Sequence, residues 1–201
     1  MLKLFHNARS ARLIKALQAG DLDSLNSLSR KIEPAQLYQP LHQGRNGIEL
    51  CIEAEQPRAL AWVLERHPDP QARASLASRY LLSALRQTQQ SLALLSVLLK
   101  AGADANSRHQ DRSLMHWCFE YCPAASLMLH LGRLAEAGAR LDDPALIPLA
   151  LRQGDRALIH YLINAGAPLI EPLEQTGLDE ELLAYARRCS EDKRIRELML
   201  R

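Results

Sequence analysis

Aromatic residues are scarce in this chain: two Trp, five Tyr and two Phe make up 4% of 201 residues. A β-sandwich draws heavily on aromatic and β-branched side chains, so that class is disfavoured. Long apolar runs are missing as well. The longest such stretch, 91–99, contains two serines and ends at Lys100, far short of the roughly 20 residues a membrane span needs. Behind the early positive charges there is no apolar segment of the kind a secretory signal carries. Charge of one sign is also missing: 25 Lys+Arg against 23 Asp+Glu leave +2, too little to mark a nucleic-acid binder. Neither G-x-x-x-x-G-K-S/T nor G-x-G-x-x-G occurs, which removes the familiar phosphate cradles. The four cysteines, Cys51, Cys118, Cys122 and Cys189, have no regular spacing. Burial as small hydrophobes therefore fits them better than a disulfide framework. The expectation is a soluble, cytoplasmic protein that neither crosses nor binds a membrane.

Leucine fills the gap, with 39 copies. Hydrophobic residues at 47% and charged residues at 24% are ordinary for a globular chain. The length suits one compact domain or one repeat array. The leucine excess favours stacked helices. Twenty Arg against five Lys point to a GC-rich, bacterial genome.

A repeated punctuation runs along the chain. Ala-Gly-Ala occurs at 101–103, 137–139 and 165–167, each time closing an apolar stretch: V-L-L-K-A-G-A, R-L-A-E-A-G-A and Y-L-I-N-A-G-A. Glycine just past a helix is what a left-handed C-cap selects. Two weaker echoes upstream place His67 and Ile32 at the glycine position. Positions 32, 67, 102, 138 and 166 are then separated by 35, 35, 36 and 28 residues. In the last copy Gly154-Asp155 breaks the apolar pattern in two, and Leu158, Ile159, Leu162 and Ile163 form a stripe down one helical face. Two short helices joined by a tight turn cannot bury both apolar faces alone, so neighbouring hairpins are expected to stack.

At these residues the chain resembles the ankyrin-repeat family, whose unit is about 33 residues long. Leu98-Leu99-Lys100-Ala101-Gly102-Ala103-Asp104 resembles the family's closing motif. Ser113-Leu114-Met115-His116-Trp117-Cys118-Phe119 resembles its opening motif, with Leu114 in the place of proline, and Gly154-Asp155 and Gly20-Asp21 resemble its inter-helix turn. The resemblance implies an all-α, ankyrin-type solenoid of about five helix-turn-helix units. The units would lie roughly at 8–34, 45–69, 78–106, 110–141 and 142–170 within a single array, 1–201. A C-terminal capping helix pair at 176–201 would follow, using Leu182, Leu183, Tyr185, Ile195, Leu198 and Met199. The fourth unit is irregular, about four residues too long and interrupted by Pro123. The finger after it, around Leu141-Asp142-Asp143-Pro144, is shortened, and 36–47 reads as a long finger.

Several residues carry chemistry in principle. His116, Cys118, Cys122 and His130 have the residue types of a zinc site. If the segment is helical, however, His116 points roughly 200° away from Cys118, and the resemblance implies a structural, hydrogen-bonding role for that histidine. Neither Cys118 with His116 nor Cys51 with His42 is accompanied by an oxyanion donor or a nucleophile elbow. No catalytic residue, cofactor or metal is therefore expected. Charge is uneven along the chain: residues 1–100 carry 13 basic and 8 acidic groups, net +5, and residues 101–201 carry 12 and 15, net −3. Lys3, Arg9, Arg12, Lys15, Arg30 and Lys31 make the N-terminal end basic. No aromatic interleaving accompanies them, so nucleic acid is not the expected partner.

The resemblance implies function on an inner, concave face. Trp117 takes the variable position of the opening motif, facing that surface, and Trp is enriched at binding hot spots. The other reading makes it local core under the extra residues of the fourth unit. Glu120 and Tyr121 share its face, Arg152 lines the same groove from the next unit, and His109 and Arg112 stand in the finger before it. Tyr80 and Arg86 are further candidates upstream, and Trp62 is expected in the core or on the outer surface. The expected activity is non-catalytic binding of another protein, as an adaptor, an effector or a toxin-neutralising immunity protein. A metal- or thiol-dependent enzyme or sensor built on the His116/Cys118/Cys122/His130 group, and nucleic-acid binding at the basic end, are the alternatives.

Overall fold

The computed structural model describes residues 2–170 and 178–200, with side chains from residue 8 onward. Helix dominates. Twelve α-helices lie among the described residues, with one short 3-10 helix and one two-stranded ribbon. The chain groups into two compact units, Met1–Ser107 and Arg108–Arg201.

The first unit contains three helix pairs: α1 (Leu2–Ala19) with α2 (Leu22–Ser29), α3 (Gly47–Glu53) with α4 (Pro57–Glu65), and α6 (Leu81–Leu85) with α7 (Ser91–Lys100). α5 (Pro70–Ser78) lies between the second and third pairs in sequence and packs on α7. α1 packs on α3, and α2 and α7 both pack on α4. Leu13, Leu17, Leu25, Leu60, Leu64, Leu94, Leu95 and Leu98 are buried between them, at about 1.5–3 kcal/mol for each fully buried leucine. In the second unit α8 (Leu114–Tyr121) pairs with α9 (Ala124–Glu136), and α10 (Leu146–Gln153) pairs with α11 (Arg156–Ala165). α8 packs on α10, and α12 (Glu180–Met199) packs on α11.

Local chemistry explains the element ends. Asn46 opens α3 with a full capping box, accepting from Ile48 and Glu49 N–H while the Glu49 carboxylate accepts from its own. Asp21, Asp155 and Asp179 cap α2, α11 and α12 and favour the positive helix end. α7, α9 and α11 end alike. Gly102, Gly138 and Gly166 take φ of 97°, 85° and 118°, and the next residue's N–H closes back onto Leu98, Leu134 and Leu162 at 3.1, 2.9 and 2.9 Å. The following alanines, Ala103, Ala139 and Ala167, are buried each time. This is the Schellman arrangement that satisfies otherwise orphaned carbonyls. The echoes at Ile32 and His67 follow the ends of α2 and α4, but without the left-handed residue.

These caps differ in surroundings, which gives a test. A Cβ at Gly138 meets nothing within 4 Å, whereas at Gly102 it sits 3.0 Å from the Ala74 Cβ. Gly138→Ala is expected to cost about 1 kcal/mol, the left-handed penalty alone. Gly102→Ala should cost roughly 2 kcal/mol, because crowding is added. Urea denaturation of both variants checks the difference, and equal costs would contradict it.

The turn between α3 and α4 uses no glycine. Glu55 takes the left-handed conformation itself, φ 52°, and Gln56 N–H closes onto Cys51 O at 2.8 Å. Its carboxylate then accepts from Gln89 and Gln90 N–H, at 2.8 and 2.6 Å, and from the Thr88 hydroxyl at 3.3 Å. The second and third turns of this unit are tied together. Partial burial pushes the Glu55 pKa up, but the hydrogen bonds from Gln90, Gln89 and Thr88 outweigh it and hold the group below the usual carboxylate range. A lowered folded-state pKa contributes stability above the unfolded value, lost as pH falls through the folded one. These bonds are exposed to solvent and screened by it, so Glu55→Ala should cost about 1 kcal/mol at pH 7. The gap to wild type should shrink once the carboxyl is protonated, below its ordinary value of about 4.3. Denaturation curves at neutral and acid pH measure this, and a gap independent of pH would contradict it.

Two expectations need correction. The C-terminal cap is a single helix over the described residues and not a pair: α12 runs unbroken for 20 residues, since neither glycine nor proline lies between 180 and 199 to turn it. Residues 171–177 and 201 of the expected cap region fall outside the described residues. Between the expected second and third units, 70–78 forms a helix, because Asp69 caps it and Pro70 supplies a pre-set first residue. Finally, the irregular fourth pair places its extra length in α9, 13 residues against 10 in α7 and α11. Pro123 does not break a helix there but starts one.

Candidate functional site

The clearest constellation of functional side chains is built on the ribbon before α8. Strand β1 (Arg108–His109) pairs antiparallel with β2 (Arg112–Ser113), placing Arg108 opposite Ser113 and His109 opposite Arg112. Gln110 and Asp111 make the turn with φ of 50° and 59°, the pair of positive values that a twisted two-residue hairpin requires. A matching bridge, His42 to Arg45, surrounds Gln43 and Gly44 in the first unit. The expected long finger at 36–47 thus ends in a tight hairpin turn.

Ser113 links three parts of the second unit. Its hydroxyl oxygen accepts from His116 N–H at 3.1 Å, capping α8, and its proton goes to Asp143 Oδ2 at 2.6 Å. Asp143 holds the Ala145 N–H with its other oxygen, at 3.0 Å. The segment 137–145 contains no strand, in keeping with the shortened finger expected there.

Trp117 is a correction. It is only 4% exposed, so it is not a partner-facing residue. Its indole Nε1 donates to the His109 carbonyl at 3.1 Å. Its ring stacks on Tyr121, with centroids 5.6 Å apart and planes 11° apart, and the Arg112 guanidinium lies 5.2 Å from the ring centroid. A buried indole needs an acceptor for its N–H, and the finger backbone supplies it. Trp117 holds the finger; it does not present itself.

The residues around it stay accessible. Arg112 and Glu120 are exposed and 3.7 Å apart, Tyr121 and His109 are half-buried, and Arg152 is exposed. Asp143, Arg112, Glu120 and Arg152 all act on His116, which places five charged or titratable groups around one patch. Burial lowers the His116 pKa, Arg112 and Arg152 add to this, and Asp143 and Glu120 offset it only in part. His116 is therefore neutral at pH 7. The structure thus brings Trp117, Glu120, Tyr121, Arg112, His109 and Arg152 into one neighbourhood.

Tyr80 and Arg86 belong elsewhere, in the first unit. They border a cleft of about 230 Å³ with Glu49, Glu53 and Gln87, and Asn46 Nδ2 donates to the Tyr80 hydroxyl at 2.8 Å. Arg45 pairs with Glu53 at 2.6 Å beside it. Sequence reasoning missed Arg45, Glu49 and Glu53. The Asn-x-x-Glu pattern at 46–49, which closes a capping box at the start of α3, is the signal that would have found them. Of the two places expected for Trp62, core or outer surface, it takes the core: its Nε1 donates to Asn26 Oδ1 at 2.8 Å, and Arg66 covers the ring at 3.6 Å.

The expected metal group divides. His116 faces the acidic and basic patch just described, whereas Cys122, at the end of α8, hydrogen-bonds to Cys118 of α8 and to His130 of α9. No group of three among the described residues can hold a metal ion. Cys51 is fully buried, and that burial pushes its thiol up, away from nucleophilic reactivity. All four cysteines are free and buried. At the basic end, Arg9, Arg12, Lys15, Arg30 and Lys31 are exposed, and Arg9 and Lys31 border one cleft of about 250 Å³. The Lys3 side chain lies outside the described residues. Among the described residues no helix is long and apolar enough to cross a membrane. Comparison with protein-family models, with characterised proteins and with solved structures found no match.

Proposed function

We propose that the five helix pairs are ankyrin-type units and that the chain is a non-catalytic binding module for another protein. The identical caps at Gly102, Gly138 and Gly166 support the first part, as does the finger leading into the Ser113-capped helix. The observation that carries the second is the mounting of exposed Arg112, Glu120 and Arg152 around the fixed Trp117–Tyr121 pair. Holding charged side chains on a rigid base lowers the ordering cost of binding and sets partner choice through charge complementarity. Tyr121, His109, Arg112, Glu120 and Arg152 are the contact residues of this reading, with Tyr80 and Arg86 as contacts on the first unit. An adaptor, an effector and a toxin-neutralising protein all work in this way.

The test is capture from native lysate with the wild-type chain and with the double variant Arg112→Glu/Arg152→Glu. Arg152 is exposed, while Arg112 gives up an exposed ion pair with Glu120 and its place over the Trp117 ring, so the double variant should lose no more than about 2 kcal/mol of stability. Proteins held by the wild type should bind on the order of tenfold more weakly to the variant, because like charges now face each other. Equal retention by both chains contradicts the reading. A steep fall of affinity for DNA or RNA with added salt would support the N-terminal alternative instead.

A further inference from the structure

We propose that Cys122, Cys118 and His130 form an oxidation site at which a hydroperoxide converts the two thiols into an intramolecular disulfide. Three observations place the groups. Cys118 lies in α8, and Cys122 is the residue that ends it, with its N–H on the Cys118 carbonyl at 2.9 Å. Four residues of helical chain separate Cα atoms by about 6 Å, within a disulfide's Cα span, but Cβ atoms by about 5–6 Å, so the bond closes when Cys122, the non-helical end residue of α8 with ψ 136°, swings towards Cys118. His130, 1% exposed, comes from α9 and joins its ring to the Ser126 carbonyl through Nδ1 at 2.8 Å. A carbonyl can only accept, so Nδ1 carries a proton and the remaining ring nitrogen is the one that meets the Cys122 sulfur.

The two thiols are not equivalent. Cys118 has no exposure, while Cys122 keeps 8% beside exposed Pro123, Ala124 and Ala125. The titratable groups facing the Cys122 sulfur are Cys118 from α8 and His130 from α9. The Cys118 hydrogen bond lowers the Cys122 pKa, burial works against this, and His130 adds a second hydrogen bond and its charge; the result is about 6. Burial disfavours the His130 charge, but the bonds to Cys122 and Ser126 outweigh it and raise its pKa. Cys118 moves the other way, donating to its neighbour and losing solvent, and stays protonated. Cys122 is thus the thiolate and Cys118 the reserve thiol, the pairing of a reactive and a resolving cysteine.

The chemistry balances without a further cofactor. The Cys122 thiolate attacks the terminal oxygen of the hydroperoxide, the O–O bond breaks, and the departing alkoxide or hydroxide takes a proton from the His130 imidazolium. Cys122 is then a sulfenic acid. Cys118 attacks that sulfur, its proton leaves with the displaced hydroxide as water, and the S–S bond forms. Two thiols have been oxidised, and the peroxide has been reduced by two electrons to water and an alcohol, or to two waters when it is hydrogen peroxide.

The experiment treats the full chain with equimolar hydrogen peroxide at pH 7, blocks remaining thiols after unfolding, and maps peptides by mass spectrometry. The expected product links Cys118 to Cys122, with Cys51 and Cys189 still reduced. Cys118→Ser should stop at a sulfenic acid on Cys122 that dimedone traps. In the untreated wild type, iodoacetamide should label Cys122 with a midpoint near pH 6, and in His130→Gln the midpoint should move towards an ordinary thiol's, about 8.5. Should the His130 variant fail to fold, the wild-type pH profile carries the same test. Oxidation of Cys51 or Cys189 as fast as Cys122, or a wild-type midpoint near 8.5, overturns the proposal. So does a Cys122 that oxidises without ever linking to Cys118. None of these outcomes bears on the binding reading, which rests on the exposed Arg112, Glu120 and Arg152.

Discussion

Trp117→Ala is expected to destabilise the chain by about 4 kcal/mol. Truncating a buried tryptophan removes its transfer free energy and leaves a cavity, a combined cost of about 3–5 kcal/mol. The ring is 4% exposed and stacked on Tyr121, so little solvent is available to fill the space. The His109 carbonyl also loses its donor, which adds to the cost if the finger does not swing out to water. Trp117→Phe separates the contributions: it keeps an aromatic face for Tyr121 but not the N–H, and should cost about 1–2 kcal/mol. Urea denaturation followed by circular dichroism measures both. A Trp117→Ala chain as stable as wild type, but impaired in binding, would return the residue to the partner-facing role that the sequence alone implies.

The second large effect is expected at Trp62, again about 4 kcal/mol for the alanine variant. Its ring is 6% exposed and fills the space between α2 and α4 with Asn26 as acceptor. Arg66 binds it twice, covering the ring and donating to its carbonyl at 2.9 Å. A double-mutant cycle between Trp62→Phe and Asn26→Ala should show a coupling of about 1 kcal/mol, the worth of one part-buried hydrogen bond. Additive costs would mean that Asn26 is only a bystander. Since Trp62 and Trp117 are the two tryptophans of the chain, each alanine variant leaves a single indole whose fluorescence reports the other unit.

Much of the fold was legible because helix ends have strong local chemistry. Ala-Gly-Ala at 101, 137 and 165 and Gly-Asp at 20 and 154 mark α7, α9, α11, α2 and α10 to within a residue or two. Each needs a residue without Cβ or with a short acceptor. Glu55 shows where that signal fails: a glutamate occupies the left-handed position, and what compensates is a set of hydrogen bonds from residues 33 to 35 positions away. No local pattern encodes that. α5 was missed for another reason. Its start carries Asp69 and Pro70, both clear helix signals, but its alanine- and serine-rich face has no apolar stripe to confirm them. The candidate site was legible as a neighbourhood and misread at its centre. The position of Trp117 was placed correctly on α8, but whether a side chain there meets a partner or its own finger depends on how 108–113 folds back, a tertiary fact. The thiol pair was visible as residue types only; the separation of His116 from Cys118, Cys122 and His130 follows from helical geometry.

The central claim, a protein-binding face at the finger and α8, is tested most directly by photo-crosslinking. A photoreactive phenylalanine analogue replaces Tyr121 in one chain and the exposed Leu129 of α9 in another, each irradiated in native lysate. The binding account expects a defined adduct from position 121 that disappears in the Arg112→Glu/Arg152→Glu background, and none from position 129. An adduct from 129 alone, or one from 121 indifferent to those two charges, would contradict it.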